Sequence, residues 1–406
     1  MRPVPLSIYI HIPFCTVRCA YCDFNTYAGL EGLMPPYAAA VQRELALVAP
    51  FFSGEQEGSV SDSAEVHSVF FGGGTPSLLV PDLIEAILRV VGSEFRLAHS
   101  CEITLEANPG TLGRQDLERL RRAGVNRLSL GAQSAQPSEL RLLDRAHTFE
   151  DVASAVEQAR RAGFDNINLD LIYGLPWQAM ESWTDTLDRT LDLAPEHLSL
   201  YALSLEHGTP LRAWVERGLV AAPDPDAAAE MYGWAEARLA GGGYVQYEIS
   251  NWARDGGAGS ELDFPAFACR HNLQYWRNLP YLGIGAGAHG CALGWRYANV
   301  LSPRLYIERL QAGTAGLAPC SPAAAERTAI DLPTQMDETM LLGFRLTRAG
   351  VQPSAFRGRF GQEVEPRYGQ RLRQLECDGL IERGGDRLRL TAQGRLLGNR
   401  VFREFV

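Results

Sequence analysis

The chain has 406 residues, with 38 basic side chains against 48 acidic ones for a formal charge of −10, and reading the rows shows that every one of the 38 is arginine. Without lysine no side-chain Schiff base can form, which excludes pyridoxal-phosphate and lysine-type aldolase chemistry, and neither a Walker P-loop nor a β3-lysine kinase site can be built. Net acidity argues against a general nucleic-acid binder, and no apolar run approaches the ~20 residues needed to cross a bilayer.

The missing lysines themselves read as codon bias towards arginine. A hydrophobic content of 46% supports a large core, and the length suggests two domains or one large barrel with an appendage. The first apolar stretch, Leu6 to Ile12, contains His11 and leads into cysteines, so it does not read as a signal peptide. The expected location is the cytoplasm, with only peripheral membrane contact left open. Eight cysteines in such a chain are not a disulfide framework.

In chain order, Leu6–Ile12 reads as a buried strand and Pro35 to Val48 as a helix whose prolines fall in the tolerant first turn. Residues 53–65 read as a Gly/Ser/Glu-rich surface loop. Strands follow at Val66–Phe71, Glu102–Leu105, Asn126–Leu130, Asn166–Ile172 and His197–Leu203. Helices alternate with them at Pro81–Val91, Arg114–Ala123, Phe149–Ala162 and Glu181–Leu193. Beyond Ala227 come a helix to Ala240, a strand at Tyr244–Ile249, a Gly/Asp-rich loop at 253–263 and a small-residue strand end at Gly283–Gly290. Residues 312–325, rich in Ala, Gly and Pro, read as a linker. The remainder is helical and closes with two short strands around Gly384-Gly385-Asp386.

About six strand–helix units imply a parallel sheet with right-handed crossovers. No G-x-G-x-x-G opens a helix, so a barrel or partial barrel is preferred to a Rossmann fold. The unusual residues sit at the carboxyl ends of the strands, the face on which barrel enzymes build their sites. The last segment suggests a small winged-helix-like domain. Glu and Asp are mixed among its arginines, which disfavours DNA binding.

Cys15, Cys19 and Cys22 form C-x3-C-x2-C in a loop just after the first strand. Soft sulfur ligands favour zinc or an iron–sulfur cluster. Structural zinc wants four protein ligands, and no fourth stands nearby at the usual spacing. Four-iron clusters normally take four cysteines, so three leave one iron open.

The loop resembles that of the radical S-adenosylmethionine (SAM) superfamily. The likeness extends to Tyr9-Ile10-His11-Ile12-Pro13-Phe14-Cys15, Gly72-Gly73-Gly74-Thr75-Pro76, Gln133, Arg145 and Asp170-Leu171-Ile172-Tyr173-Gly174-Leu175-Pro176. These runs are similar to the HemN/HemW branch over nearly the whole chain. The resemblance implies an α/β fold, a partial (β/α)6 TIM-like barrel with a smaller C-terminal helical, winged-helix-like domain. Residues 1–240 would form the partial barrel, 241–311 a segment completing it, and 312–406 the C-terminal domain. It also implies a 4Fe-4S cluster on Cys15, Cys19 and Cys22 whose open iron is chelated by SAM, and an electron donor to reduce it. Cleavage of the sulfonium would give methionine and a 5′-deoxyadenosyl radical.

By the same resemblance Gly73 and Gly74 let backbone approach the SAM amino group, with Thr75 following them, and Glu106 accepts from ribose hydroxyls or the ammonium. Gln133 and Asp170 bond ribose and carboxylate, Arg145 offers a planar fork to the SAM carboxylate, and Tyr21 packs near the adenine. Tyr9, Ala202 and His289 are carried over as further cofactor-lining positions. Taken singly, these residues would read as a glycine turn, surface polar groups and ordinary ion pairs.

HemN-type oxidases convert coproporphyrinogen III propionates to vinyl groups, and their cysteine motif ends C-x-C. Here that last position is Phe24, and only eight residues precede Tyr9, where the oxidases carry a longer segment. Both departures count against oxidase activity. The HemW branch, considered haem chaperones, adds H-N-x-x-Y-W, present as His271, Asn272, Tyr275 and Trp276. The resemblance makes His271 a candidate axial ligand of haem; alone, it would read as a structural histidine. The expected function is therefore a haem chaperone with haem and a haem-accepting protein as partners. A coproporphyrinogen III oxidase is the alternative, and a radical SAM methyltransferase a third reading.

Overall fold

The apolar run after Pro5 becomes strand β1 (Pro5–Ile12), in which Leu6, Ile8, Ile10 and Ile12 are at most 1% exposed and Ser7 and His11 are buried as well. Burial on both faces is the signature of a strand inside a covered parallel sheet. The structure, a computed structural model, describes residues 5–52, 64–256, 263–313 and 316–406. The chain forms two compact units, 1–231 with 280–329 and 232–279 with 330–406.

In the first unit β1 is followed by α1 (Met34–Val48), β2 (Glu65–Gly73), α2 (Pro81–Glu94), β3 (Leu97–Ala107), α3 (Arg114–Ala123) and β4 (Arg127–Gln133). Next come α4 (Phe149–Arg161), β5 (Ile167–Tyr173), α5 (Met180–Asp192) and β6 (His197–Ala202). Strands β1 to β6 pair in sequence order, all parallel. On the other side of β1 lies β7 (Tyr281–Ile284), also parallel to it. Antiparallel strands β8 (His289–Ala292), β9 (Trp295–Asn299) and β10 (Ala324–Ala329) extend the sheet, and α6 (Pro303–Gln311) precedes β10. No ladder among the described residues joins β6 to β10, so the sheet stays open, as a partial barrel requires. Each helix buries one stripe; α4 buries Phe149, Val152, Val156 and Ala159, spaced for a 3.6-residue period.

Three expectations are corrected here. Strand β3 begins at Leu97 rather than Glu102, because an irregularity between Val66 and Ser68 lets Leu97 pair with Val66 and Glu102 with Ser68. The Gly283–Gly290 run is not one strand end but the end of β7, a turn through Gly285 and Gly287, both at positive φ, and the start of antiparallel β8. The 312–325 segment is not all linker, since Ala324 already pairs with Asn299. Of the loop expected at 53–65, residues 53–63 lie outside the described residues, as do 257–262 of the loop expected at 253–263.

The second unit holds an antiparallel pair (Tyr244–Glu248, Asn251–Arg254), a short helix (Arg270–Trp276) and helices at Leu332–Gly343, Pro353–Phe360 and Val364–Cys377. An antiparallel ribbon, Ile381–Arg383 with Leu388–Leu390, comes next in the manner of a winged helix. Its core includes Met340, Phe344, Tyr368, Leu372 and Phe405. Arginines of the ribbon are paired: Arg383 with Glu365 and Glu376, Arg387 with Asp263, Arg389 with Glu382. The unit is discontinuous in sequence, so the expected boundaries at 240 and 312 do not coincide with it. Residues 241–279 group with the C-terminal helices and 280–311 with the large sheet. No helix among the described residues is long and apolar enough to cross a membrane.

Candidate functional site

The carboxyl ends of β2 to β6 and the loop after β1 enclose a cavity of about 380 Å³. Twelve of the fifteen expected site residues line it: Cys15, Cys19, Tyr21, Cys22, Gly73, Gly74, Thr75, Glu106, Gln133, Arg145, Asp170 and Ala202. Three do not, and each has a visible reason. Tyr9 lies within β1, where its hydroxyl is 3.0 Å from His11 Nδ1 and its ring stacks on Phe70. His289 opens β8 with its side chain exposed. His271 belongs to the second unit.

The cysteine loop starts from a buried position. Phe14–Cys15 makes a two-residue parallel ladder with Tyr27–Ala28, and Cys15 is 9% exposed. Cys19 and Cys22 are half-buried, linked by a 3.2 Å bond from Cys22 N to the Cys19 carbonyl. Burial pushes the thiols of Cys15 and Cys22 above their ordinary pKa, so any cluster they hold must displace protons to form. Among the described residues no three His, Cys, Asp or Glu side chains are gathered tightly enough for a single metal ion. A four-iron cluster presents its irons at separate corners, and its cysteines stand further apart than the ligands of one zinc. Three soft thiols on one cavity wall are a donor set that fits such a cluster.

The Gly72-Gly73-Gly74 turn is required by the groups that pack against it. Gly73 has φ +114°, and a Cβ there would fall 2.4 Å from the His11 ring; at Gly74 it would fall 2.6 Å from the Phe14 carbonyl and 3.0 Å from Cys15 Sγ. The glycines thus seat the turn against the cysteine loop. Gly74 N and Thr75 N donate to the carbonyls of Ile12 (2.9 Å) and Phe14 (2.8 Å). Thr75 Oγ1 donates to Cys15 Sγ at 3.7 Å and accepts from Asn108 Nδ2 at 3.1 Å.

Two carboxyl groups also line the cavity. Glu106 accepts from Gly73 N at 3.1 Å, and its pKa is pushed up to about 8 by burial and then by the neighbouring Asp170. Asp170 is raised by burial as well, although Ser129 (3.1 Å) and Asn168 (2.8 Å) donate to it. Two such carboxyls facing one cavity favour a cationic or hydroxyl-rich ligand. Gln133 sits at φ +64° where the β4–β5 register breaks, so a bulge turns its side chain into the cavity. Arg145 Nη2 donates to Asn108 Oδ1 and to the Gly131 carbonyl, each at 2.7 Å, while its Nε is buried and has no partner among the described residues. Tyr21 packs beside Leu143, Ile172, Leu175 and Leu203, an apolar wall suited to a flat ring.

Sequence reasoning missed Asn108, Ser129 and Gly131. Asn108 follows Glu106 at the same strand end, which was a readable signal. Gly131 was not readable, since its need for no side chain comes from Arg145 Nη2, 2.9 Å from where a Cβ would stand.

The sequence pattern of the Radical SAM superfamily matches residues 9–190, and that of the HemN C-terminal domain residues 330–397. Heme chaperone HemW of Mycobacterium tuberculosis (strain H37Rv) is 40% identical over 402 residues, covering 98% of this chain and 94% of its own. Heme chaperone HemW of Bacillus subtilis is 34% identical, covering 98% and 99%. The chain belongs to the HemW family. The structure of Escherichia coli coproporphyrinogen III oxidase HemN, a radical SAM enzyme, aligns with this chain with a TM-score of 0.81. It is 25% identical and covers 99% of this chain and 90% of its own. The Radical SAM match takes in all three cysteines and every cavity residue up to Asp170.

In the second unit the H-N-x-x-Y-W run forms the helix Arg270–Trp276, so His271 and Tyr275 share one face at i, i+4. His271 is 2% exposed, its Nε2 2.9 Å from the Tyr275 hydroxyl and the rings edge-on at 5.0 Å. Arg345 covers the Trp276 ring at 4.2 Å.

Proposed function

We propose that this HemW-family chain is a haem carrier that holds a 4Fe-4S cluster on Cys15, Cys19 and Cys22, binds SAM in the adjoining cavity and passes haem to an acceptor protein. The observation that carries this over oxidase activity is Phe24. It is 63% exposed on the cavity rim, at the position where the oxidase motif has its last cysteine. The names of the full-length relatives support the same reading.

In this reading the Arg145 guanidinium takes the SAM carboxylate, and the Gly73–Thr75 turn and Glu106 receive the ammonium. Gln133 and Asp170 hold the ribose, with Tyr21 and Ala202 along the adenine. Tyr9 acts through His11 rather than by contact. One-electron cleavage of the sulfonium is the chemistry available when cluster and SAM are both bound, and it needs an external electron donor. His271 serves as haem ligand, with Tyr275 and Trp276 beside the porphyrin. The expected setting is the cytoplasm, with the acceptor reached there or at a membrane surface.

The test is to reconstitute the full chain anaerobically, add haem and compare Soret spectra of wild type and His271→Ala. A ligand role predicts a shifted or weakened band in the variant; an unchanged band removes His271 from the site. The oxidase reading has one observation in its favour, the HemN structural likeness. Incubation with coproporphyrinogen III, SAM and reductant decides it: vinyl-bearing product overturns the carrier reading. S-adenosylhomocysteine in the same mixture would point to methyl transfer.

A further inference from the structure

Asn25 lies three residues beyond Cys22, yet its side chain is bound to the far end of the first unit. Its amide donates to the Ala286 carbonyl at 3.1 Å and to the Leu301 carbonyl at 3.0 Å. Its own main-chain carbonyl is 2.9 Å from His11 Nε2. The other His11 nitrogen faces the Tyr9 hydroxyl, so Nε2 carries the hydrogen donated to Asn25 when Tyr9 donates to Nδ1.

The glycine-rich turn between β7 and β8 is shaped to receive this side chain. Gly287 has φ +77°, and a Cβ there would stand 2.4 Å from Asn25 Nδ2. At Gly285, φ +103°, a Cβ would stand 2.5 Å from the His11 carbonyl and 2.7 Å from the Tyr37 hydroxyl. That hydroxyl donates to the His11 carbonyl at 2.8 Å and accepts from Ala286 N at 2.7 Å. Behind the turn, the carboxylate of Glu44 receives Gly285 N at 2.8 Å and Asn299 Nδ2 at 2.9 Å. The turn is therefore held rigid from behind, and its two glycines are cut to the outline of His11, Tyr37 and Asn25.

We propose that Asn25 is a positioning residue for the iron–sulfur cluster, clasping the end of the cysteine loop to the Gly285–Gly287 turn. This rests on the reading of Cys15, Cys19 and Cys22 as cluster ligands. Strand β1 anchors the loop before Cys15, whereas Thr16, Val17 and Arg18 are exposed and Cys19 and Cys22 half-buried. Ala20, fully buried and bonded by Leu211 N at 2.9 Å, holds the middle of the loop. On the carboxyl side of Cys22, Asn25 is the nearer of two side chains, with Tyr27, that tie the stretch to the sheet's extension, and it does so with two bonds. Ligands held by groups behind them lose about 10–100-fold in metal affinity when that support is removed.

The experiment uses the full chain, reconstituted anaerobically with iron and sulfide, as wild type, Asn25→Asp, Asn25→Ser and Tyr27→Phe. The aspartate keeps the size but turns two donors into acceptors facing carbonyls; the serine keeps the test available if the aspartate variant does not fold. Tyr27 donates to the same Leu301 carbonyl at 3.2 Å, so its phenylalanine variant removes a bond there and leaves Asn25 in place. Cluster loss to a ferrous chelator is followed by visible absorbance, together with the electron paramagnetic resonance line shape of the reduced cluster and the apo-protein melting temperature. Expected are about 10–100-fold faster bleaching and an altered line shape in the Asn25 variants, with wild-type behaviour in Tyr27→Phe. Wild-type bleaching in the Asn25 variants overturns the clasp, as does bleaching that simply tracks melting temperature across all four proteins. If wild type itself takes up no cluster, it is the ligand assignment that fails.

Discussion

Arg145 Nη1 lies 3.5 Å from the sulfur of Cys19. One guanidinium therefore ties the middle cysteine of the loop to the ends of β3 and β4, which it reaches through Asn108 and Gly131. Lysine could not do this, because its single nitrogen cannot stand in for the two separated guanidinium nitrogens that make these bonds. Arg145→Lys should lower SAM affinity by about 10–100-fold, the loss expected for hydrogen bonds to a charged group worth about 1.5–3 kcal/mol. Anaerobic calorimetry of SAM binding checks this, and unchanged affinity would remove Arg145 from the carboxylate site.

The raised Glu106 carboxyl makes a signed prediction for the ligand-free protein. Its pKa is near 4.5 unfolded and about 8 folded, so between those values the native state holds a proton that the unfolded state has released. The contribution is full below pH 4.5 and is lost as pH rises towards 8. The full shift corresponds to about 5 kcal/mol, and water in the open cavity reduces this to about 2–3 kcal/mol. The difference in stability between wild type and Glu106→Gln should therefore move against wild type from pH 5 to pH 8. Melting curves across that range measure it.

His147 has the opposite sign. Burial and then the neighbouring Arg145 push its pKa down to about 4, and its Nε2 is 3.0 Å from the Ala132 carbonyl beside the Gln133 bulge. Its stabilising contribution is present above pH 6.5 and is lost as pH falls towards 4. Replacing it with Gln should flatten the acid limb of the melting profile while leaving the profile above pH 7 unchanged in slope.

In the second unit the Tyr275 hydroxyl lies 2.9 Å from His271 Nε2, and a haem iron held on that nitrogen would have to displace it. Tyr275→Phe should tighten haem binding by about 2–10-fold, the net worth of one hydrogen bond of about 0.5–1.5 kcal/mol. Haem titration by Soret absorbance gives the answer. Weaker binding would mean that the hydroxyl contacts the porphyrin or its ligand instead.

Glu44 is 1% exposed and collects Gly285 N, Asn299 Nδ2, Tyr306 OH (2.6 Å) and Ser321 Oγ (2.6 Å). Glu44→Leu should destabilise the protein by about 3–5 kcal/mol by stranding these buried donors. Urea denaturation detects it as a lower midpoint.

Much of the fold could be read from local pattern. The helix at Arg114–Ala123 and the strand starting at His197 appear where periodicity puts them, because 3.6- and 2-residue spacings are set by neighbours a few residues away. The cysteine spacing, the Gly-Gly-Gly turn and the polar residues at strand ends were legible for the same reason. Tyr9 and His289 were carried to the cavity and do not line it, since belonging to a motif does not fix which way a side chain faces.

What the amino-acid order determined by itself was a parallel α/β core, a three-thiol loop at its carboxyl edge, and a chain whose cations are all arginine. What only tertiary structure decided is which arginine matters and what holds the loop. Arg145 meets Cys19 across 126 residues and Asn25 meets Ala286 across 261. Such pairs form only once the strands between them have docked, and no local pattern encodes where two distant segments will meet. The same holds for the second unit, assembled from residues 232–279 and 330–406. Its grouping reflects a shared core that the order of residues along the chain does not display.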